Sequence, residues 1–112
     1  MSTAEIGKKA EAVAADYLKK QGFSVKTQNW RTRRCEIDIV AIKEDVVYFV
    51  EVKYRKSSTW GGGLDAITSK KLEQMTFAAQ LWVQNNSWQG DYRLLAISAS
   101  GLPPKIDDCL EL

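Results

Sequence analysis

Three ionisable residues stand inside two otherwise apolar, strand-like runs of the sequence. Asp38 lies in CEIDIV, residues 35–40, and Glu51 and Lys53 lie in FVEVKYR, residues 49–55. Charged groups in such runs resist burial unless something neutralises them. Carboxylates can bind a hard divalent cation, and an amine beside them can handle a proton or offset the charge of a phosphate.

A tight hairpin between the two runs predicts which of their residues meet. With residues 44–45 at the tip, residues whose numbers sum to 89 face each other across antiparallel strands. Asp38 then faces Glu51, and Glu36 faces Lys53. Because Glu-Asp is a poor sequence for a type I′ turn, a symmetric four-residue loop is the alternative, and it leaves this register unchanged. The opposite face of the hairpin is apolar and consists of Ile37, Ile39, Ala41, Tyr48, Val50 and Val52.

Two carboxylates directly opposite each other repel, so the predicted Asp38–Glu51 pair needs a proton or a cation. Oxygen-only ligands favour Mg²⁺ or Mn²⁺. Lys53 is expected on the same face, where it could orient or deprotonate an attacking water. The chain contains no histidine, which excludes a histidine base, nucleophile or metal ligand. The alternative is a solvent-facing strand end with ordinary cross-strand ion pairs, such as Glu36 with Lys53.

Hydrophobic periodicity predicts the elements that hold these residues. Ser2 and Glu5 have capping-box spacing, and an amphipathic helix follows as far as Gly22. The further elements are strands at 23–30, 34–42, 46–54 and 92–98, a helix at about 68–84, and a candidate edge strand at 105–112. The order α-β-β-β-α-β predicts an α/β fold with a mixed central sheet flanked by helices.

Composition is typical of a single domain spanning residues 1–112. Hydrophobic residues make up 45% of the chain, enough for a modest core. The net charge is only +2, but bases concentrate between Lys26 and Lys71, which indicates either a solvated face or a polyanion-binding surface. No apolar run is long enough for a membrane span or a signal peptide, so a cytoplasmic protein is expected. Cys35 and Cys109 fit no zinc spacing and are expected to be reduced and buried.

Several motifs, in order, resemble those of a known family. EIDIVA at 36–41, FVEVKYR at 49–55, AITSKK at 66–71 and an N-terminal helix with G-x-x-x-E are similar to the YraN-like branch of the PD-(D/E)XK nuclease superfamily. The similarity covers most of the chain. It implies a restriction-endonuclease-like core, similar to that of archaeal Holliday-junction resolvases, in which Mg²⁺ promotes phosphodiester hydrolysis.

The resemblance also implies roles for individual residues. Asp38 matches the motif aspartate, and Glu51 and Lys53 match the (D/E)-x-K pair. Glu11 matches a helical glutamate that adds an acidic ligand, whereas its sequence position alone indicates an ordinary residue at the border of the apolar stripe. Gly7 is one turn earlier, and its missing side chain would let the helix approach the hairpin.

Two further residues match the family, and three positions depart from it. Glu36 matches the first residue of the family's Glu-Ile-Asp and would hold Lys53 or act through water. Lys71 matches a lysine at the start of the second helix. The departures are Cys35 and Ala10 in place of common glycines and Arg93 in place of a common aspartate. None of them removes a proposed metal ligand.

Together these features predict a Mg²⁺- or Mn²⁺-dependent endonuclease that acts on DNA, with branched or structured DNA as a candidate substrate. Glu11, Asp38 and Glu51 would bind the metal, and Lys53 would assist the water. Trp60, in a glycine-containing loop, would stack on a base or pack ordinarily. The residues expected to bind the phosphate backbone are Arg31, Arg33, Arg34, Arg55, Lys56, Lys70 and Lys71.

Two other functions remain open at the level of the sequence. One is a non-catalytic nucleic-acid-binding module on the same fold. The other is a protein-interaction adaptor that uses Trp60, Trp88 and the acidic tail. Because cutting two strands usually requires two active sites, a homodimer is compatible with the nuclease prediction.

Overall fold

The computed structural model describes residues 2–56 and 67–112, which form two helices and five strands. Their bounds are α1 Thr3–Lys20, β1 Ser24–Arg31, β2 Glu36–Lys43, β3 Val46–Arg55, α2 Ser69–Asn85, β4 Tyr92–Ser100 and β5 Lys105–Glu111. The predicted order is confirmed, and the candidate edge strand is present as β5. The glycine-containing loop with Trp60 lies outside the described residues.

The five strands form one mixed sheet in the order β1-β2-β3-β4-β5. Strands β1, β2 and β3 are antiparallel neighbours, β3 and β4 are parallel, and β5 runs antiparallel to β4. The parallel pair requires a crossover, and α2 lies in that connection. This architecture confirms the predicted α/β class and is that of a restriction-endonuclease-like core.

The β2–β3 hairpin has the predicted register. Glu44 and Asp45 have φ values of 52° and 66°, as a two-residue type I′ turn requires, so the alternative four-residue loop is wrong. The paired residues run from Lys43 with Val46 to Ile39 with Val50, each pair summing to 89. Pairing stops there. The predicted partners Asp38 and Glu51 come immediately after the last paired residues, and the two strands separate at this point.

Each face of the sheet carries one buried apolar cluster. Strand residues alternate between the two clusters, as the twofold periodicity of a strand requires. The α1 cluster contains Ala14, Ala15, Leu18, Ile39, Ala41, Val50, Leu95 and Ile97. The α2 cluster contains Ile37, Val40, Val47, Phe49, Ala78, Ala79 and Trp82.

Ile37 is an exception to the predicted faces. It was predicted to lie on the same face of the hairpin as Ile39, but it packs in the α2 cluster with Val40 and Phe49. The alternation of side chains between the two faces of the sheet is therefore interrupted between residues 37 and 39. Asn29 lies on β1 between the partners of these two residues, and its φ of 55° is left-handed. This local irregularity in β1 and β2 surrounds Asp38.

Helix α1 has both of its predicted caps. The Ser2 hydroxyl accepts a hydrogen bond from the Glu5 N–H at 3.1 Å. At the other end Gly22 adopts a φ of 93°, and the Phe23 N–H donates to the Leu18 carbonyl at 3.0 Å. This is a Schellman motif, which glycine favours because it tolerates positive φ. The cap leads the chain directly into β1.

Gly7 does not serve the close helix–hairpin approach that the sequence suggested. A Cβ added there would meet no heavy atom within 4 Å, so the prediction was wrong. Gly7 lies within α1, where glycine costs about 0.5–1 kcal/mol relative to alanine.

Gly7→Ala is therefore expected to raise the free energy of unfolding by about 0.5–1 kcal/mol, measured by urea denaturation. The control is Ala12→Gly at an exposed position of the same helix, which should lower stability by a similar amount. Destabilisation by Gly7→Ala would show that close packing at this position was overlooked.

The two cysteines differ slightly from expectation. Cys35 and Cys109 are free but only half-buried. Neither α1 nor α2, the helices found in residues 2–56 and 67–112, is long and apolar enough to cross a membrane.

Candidate functional site

Glu51 lies at the centre of the candidate site. It is on β3, facing α2, and its side chain is 13% exposed. The Lys71 Nζ is 3.1 Å from its Oε1 atom, and the Lys53 Nζ is 4.0 Å from the same oxygen. Two ammonium groups from different elements therefore compensate one largely buried carboxylate.

Lys71 reaches Glu51 because of how α2 begins. Thr68 caps the helix, and its hydroxyl accepts a hydrogen bond from the Lys71 N–H at 3.1 Å. The first turn contains no acidic residue and carries Lys70 and Lys71, which oppose the helix dipole. A nearby carboxylate offsets that cost for Lys71. Lys70 is exposed to solvent.

Asp38 lies where β2 and β3 separate. Its Oδ2 accepts a hydrogen bond from the Val52 N–H at 2.8 Å, so the side chain replaces a missing backbone acceptor. Burial raises the pKa of Asp38 to about 7, and the neighbouring charges of Glu51, Glu11 and Glu36 act in the same direction, against the Val52 hydrogen bond. The three other carboxylates are therefore close enough to destabilise the charge on Asp38.

Glu11 approaches the same region from α1. Burial raises its pKa, and a hydrogen bond from the Asn29 side chain opposes that shift. The Oε2 atom of Glu11 is buried without a hydrogen-bond partner among the described residues. A buried, unsatisfied carboxylate oxygen is costly. Glu11 is therefore not the ordinary border residue that its sequence position indicates.

Glu36 does not pair with Lys53 as predicted. Its Oε2 is 3.4 Å from the Nε of Arg31, which is its register partner on β1. The prediction was wrong because it considered β3 alone, whereas β1 supplies a cation directly opposite Glu36. Both side chains of the pair are more than half exposed, so the ion pair contributes little to stability.

The seven predicted phosphate-binding residues lie in three parts of the structure. Arg34, Lys70 and Lys71 line a cavity of about 470 Å³ between the start of β2 and α2. Arg55 and Lys56 are at the end of β3, where Arg55 is half-buried. Of the two remaining residues, Arg31 is held by Glu36, and Arg33 is exposed in the β1–β2 loop.

Sequence reasoning missed two polar residues of the site. Asn29 supports Glu11 from a left-handed backbone position, which asparagine tolerates better than most residues. Ser98 is the register partner of Lys53 on β4, and its hydroxyl is buried without a partner among the described residues. The presence of an asparagine in a strand-like run was a weak signal for a role of Asn29. The apolar run YRLLAIS contained no signal for a role of Ser98.

The donor set is chemically suited to a hard cation. Among residues 2–56 and 67–112, no three cysteine or acidic side chains form a ready-made metal cluster. However, Glu11 has an unsatisfied buried oxygen, and burial together with the charge of Glu51 raises the pKa of Asp38. A divalent cation would relieve both costs. For all three carboxylates to bind one ion, Asp38 must share or release its hydrogen bond from the Val52 N–H. Glu51 must likewise share or release its ion pair with Lys71.

In the metal-free protein, a rise in pH is expected to lower the free energy of unfolding through Asp38. The folded pKa of about 7 lies above the ordinary value of 3.8. Stabilisation by the bound proton is thus complete below about pH 4 and is lost as pH rises through about 7. With about 1.4 kcal/mol for each pKa unit, the loss is on the order of a few kcal/mol.

Urea denaturation in the presence of a chelator measures this effect. The Asp38→Asn variant is the control, because it keeps an acceptor for the Val52 N–H and cannot ionise. The wild-type protein should lose stability relative to the variant across this pH window. A relative gain would contradict the assignment.

Comparison with known proteins places the chain in a family. The family model described as "Uncharacterised protein family UPF0102" matches residues 10–99, which include all three carboxylates and both lysines. The chain belongs to UPF0102. UPF0102 is a PD-(D/E)XK nuclease-like family, the same family that the motifs resemble.

Relatives in UPF0102 carry only the family name. A UPF0102 protein of Pseudomonas fluorescens strain Pf0-1 is 46% identical over 81 residues, covering 72% of this chain and 68% of the relative. One from Pseudomonas syringae pv. tomato is 38% identical, covering 92% and 82%. One from Pseudomonas aeruginosa strain LESB58 is 33% identical, covering 95% and 90%. Their names state no activity.

Proposed function

We propose that this UPF0102 protein is a Mg²⁺- or Mn²⁺-dependent endonuclease that hydrolyses phosphodiester bonds in DNA, with branched or structured DNA as its substrate. The observation that carries the proposal is that Glu11, Asp38 and Glu51 come from three elements to one region, where burial and then the charges of Glu51 and Glu11 destabilise the Asp38 anion. Such an arrangement costs stability without a cation. Perturbed carboxylates of this kind are typical of functional sites.

Glu11, Asp38 and Glu51 are the residues that would hold the metal. Bound there, a divalent cation would supply a Lewis acid that neutralises charge on the phosphate. The protein's contribution is to bring carboxylates from α1, β2 and β3 to one region, where the Glu51 side chain is largely buried. Asn29 orients Glu11 through its side-chain hydrogen bond.

Lys53 and Lys71 supply the remaining charges. The Lys53 ammonium, 4.0 Å from Glu51, would orient the attacking water or offset the charge that develops on the phosphate. The Lys71 ammonium, 3.1 Å from Glu51, is placed to bind a phosphate oxygen once the carboxylate has another cation. Neither role needs a histidine, which the chain lacks.

The DNA backbone would contact the basic residues around the site. Arg34 and Lys70 line the neighbouring cavity, while Arg55 and Lys56 extend the basic surface along the end of β3. Arg31 and Arg33 continue it on the side of β1. These contacts supply affinity that is independent of sequence and decreases with salt. A DNA substrate is consistent with a cytoplasmic protein, and cleavage of two strands is consistent with two copies acting together.

A second candidate is a non-catalytic nucleic-acid-binding module. The observation in its favour is the Lys71–Glu51 ion pair, which neutralises the carboxylate without a metal. In this case DNA binding would be indifferent to divalent cations. It would also be indifferent to the loss of Asp38.

The experiment that separates the two is a cleavage assay with titrated Mg²⁺ or Mn²⁺ on single-stranded, duplex, flap and four-way DNA, with an RNA arm. The nuclease proposal expects metal-dependent cleavage of at least one substrate by the wild-type protein and none by Asp38→Asn. Calorimetric titration with Mn²⁺ provides a readout that does not depend on activity. Binding without cleavage or metal uptake would favour the module.

A further inference from the structure

We infer that the cavity between the start of β2 and α2, called here the α2 cleft, binds a single unstacked nucleotide with its base against Phe77. The inference rests on the proposed nuclease function and specifies the substrate class. It implies DNA with a single-stranded segment beside the scissile phosphate, in preference to continuous duplex.

The α2 cleft adjoins the carboxylate site. Its volume of about 470 Å³ is within the range of small-ligand sites, and its lining includes Arg34, Glu36, Lys71 and Phe77. Lys71 connects the two places, because its ammonium is 3.1 Å from Glu51. A smaller hollow lined by Glu51 shares Glu36 and Met75 with the cleft. A nucleotide in the cleft would therefore have its phosphate close to the proposed metal ligands.

Phe77 offers a flat apolar surface in this charged cleft. It is 42% exposed, although its neighbours Ala78 and Ala79 are buried in the core. The Arg34 guanidinium lies over its ring at 6.0 Å from the centroid. A flat base needs about 3.5 Å on each side, so the Phe77 ring and the Arg34 guanidinium must be about 7 Å apart to hold one between them. A movement of Arg34 by about 1 Å would provide that separation. A base held there would stack on an aromatic ring and on a guanidinium.

The charges of the cleft favour one orientation of the nucleotide. Lys70 and Lys71 lie at one end, where a phosphate would be attracted. The cleft also contains Glu36 and Glu73, which would repel a second phosphate; Glu36 is partly neutralised by Arg31 at 3.4 Å. A phosphate beside Lys70 and Lys71, with the base between Arg34 and Phe77, is the arrangement that uses all three cations of the cleft.

This arrangement selects against intact duplex. In a duplex each base is stacked and paired, and extruding it costs a few kcal/mol. A single-stranded overhang, flap or junction arm presents an unstacked base without most of that cost. The cleft thus supplies a physical reason for preferring structured DNA.

The test uses three DNA molecules of equal length: single-stranded, duplex with an overhang, and blunt duplex. Their affinities for the full chain are measured by fluorescence anisotropy with Ca²⁺ in place of Mg²⁺, so that the carboxylates have a cation, and the recovered DNA is checked for the absence of cleavage. Phe77→Leu removes the aromatic face and keeps an apolar side chain. Phe77→Tyr restores the ring. Leu72→Ala is the matched control, since Leu72 is a similarly exposed apolar residue of α2, 39% exposed.

Phe77→Leu is expected to weaken binding of the single-stranded and overhang DNA about tenfold, because stacking is worth about 1–3 kcal/mol per base. Blunt-duplex affinity should stay unchanged, as should all affinities for Phe77→Tyr and Leu72→Ala. An equal loss on all three molecules, no loss on any, or no binding by the wild-type protein would overturn the inference. If Phe77→Leu has no effect while Asp38→Asn abolishes cleavage, the inference fails and the proposed nuclease function stands.

Discussion

Asp38→Asn is expected to lower metal-dependent DNA hydrolysis by about 10³-fold while making the metal-free protein more stable at neutral to alkaline pH. The loss of activity corresponds to about 4 kcal/mol of transition-state stabilisation, a typical value for removing one essential polar group. The gain in stability follows because burial and Glu51 disfavour the Asp38 carboxylate. Asparagine removes that charge and can still accept the hydrogen bond from the Val52 N–H.

The two opposite changes are measured on one protein sample, by a cleavage assay and by urea denaturation in a chelator. Glu36→Gln is the matched control, because Glu36 is also on β2 but is exposed and paired with Arg31. It should change the activity much less and the stability little. Retained hydrolysis in Asp38→Asn would refute the metal-site proposal. A lower stability of this variant at alkaline pH would refute the conclusion that the Asp38 carboxylate is destabilised by its surroundings.

Phe49→Ala is expected to lower the free energy of unfolding by about 3–5 kcal/mol, a large share of the total stability of a small domain. Phe49 is 1% exposed. Its ring meets Trp82 edge-on, with centroids 5.3 Å apart, and Tyr92 with centroids 5.7 Å apart. Removal of the ring leaves a cavity and breaks both aromatic contacts.

Chemical denaturation followed by tryptophan fluorescence measures the loss. Phe77→Ala is the control, since it deletes the same atoms from a side chain that is 42% exposed, and it should cost about 1 kcal/mol or less. Similar losses at the two positions would mean that Phe49 does not hold α2 against the sheet.

The fold could be predicted from the sequence because its signals are local. The hairpin register depends on a turn and on alternating apolar residues, and five observed pairs obey it. The caps at Ser2 and Gly22 are likewise encoded within a few residues. Because Asp38 and Glu51 belong to this hairpin, their proximity could also be predicted.

The partners of the charged residues could not be predicted in the same way. Glu36 pairs with Arg31 because of the β1–β2 register, which shifts between Val25 and Thr27 without a recognisable motif. Lys71 reaches Glu51 through the packing of α2 on the sheet, a tertiary contact without a sequence period. The interruption of alternation at Asp38 is also a local departure from strand geometry, and it placed Ile37 on the face opposite to the predicted one.

The parallel pairing of β3 with β4 has a consequence for how the protein is made. Glu51 and Lys53 lie beside Ala96 and Ser98, which leave the ribosome much later than the hairpin. Until β4 is synthesised, one edge of β3 has no neighbour, although α2 can already pack on apolar residues of β2 and β3 such as Val40 and Phe49. The sheet on that side of Glu51 and Lys53 is therefore completed only after most of the chain has emerged.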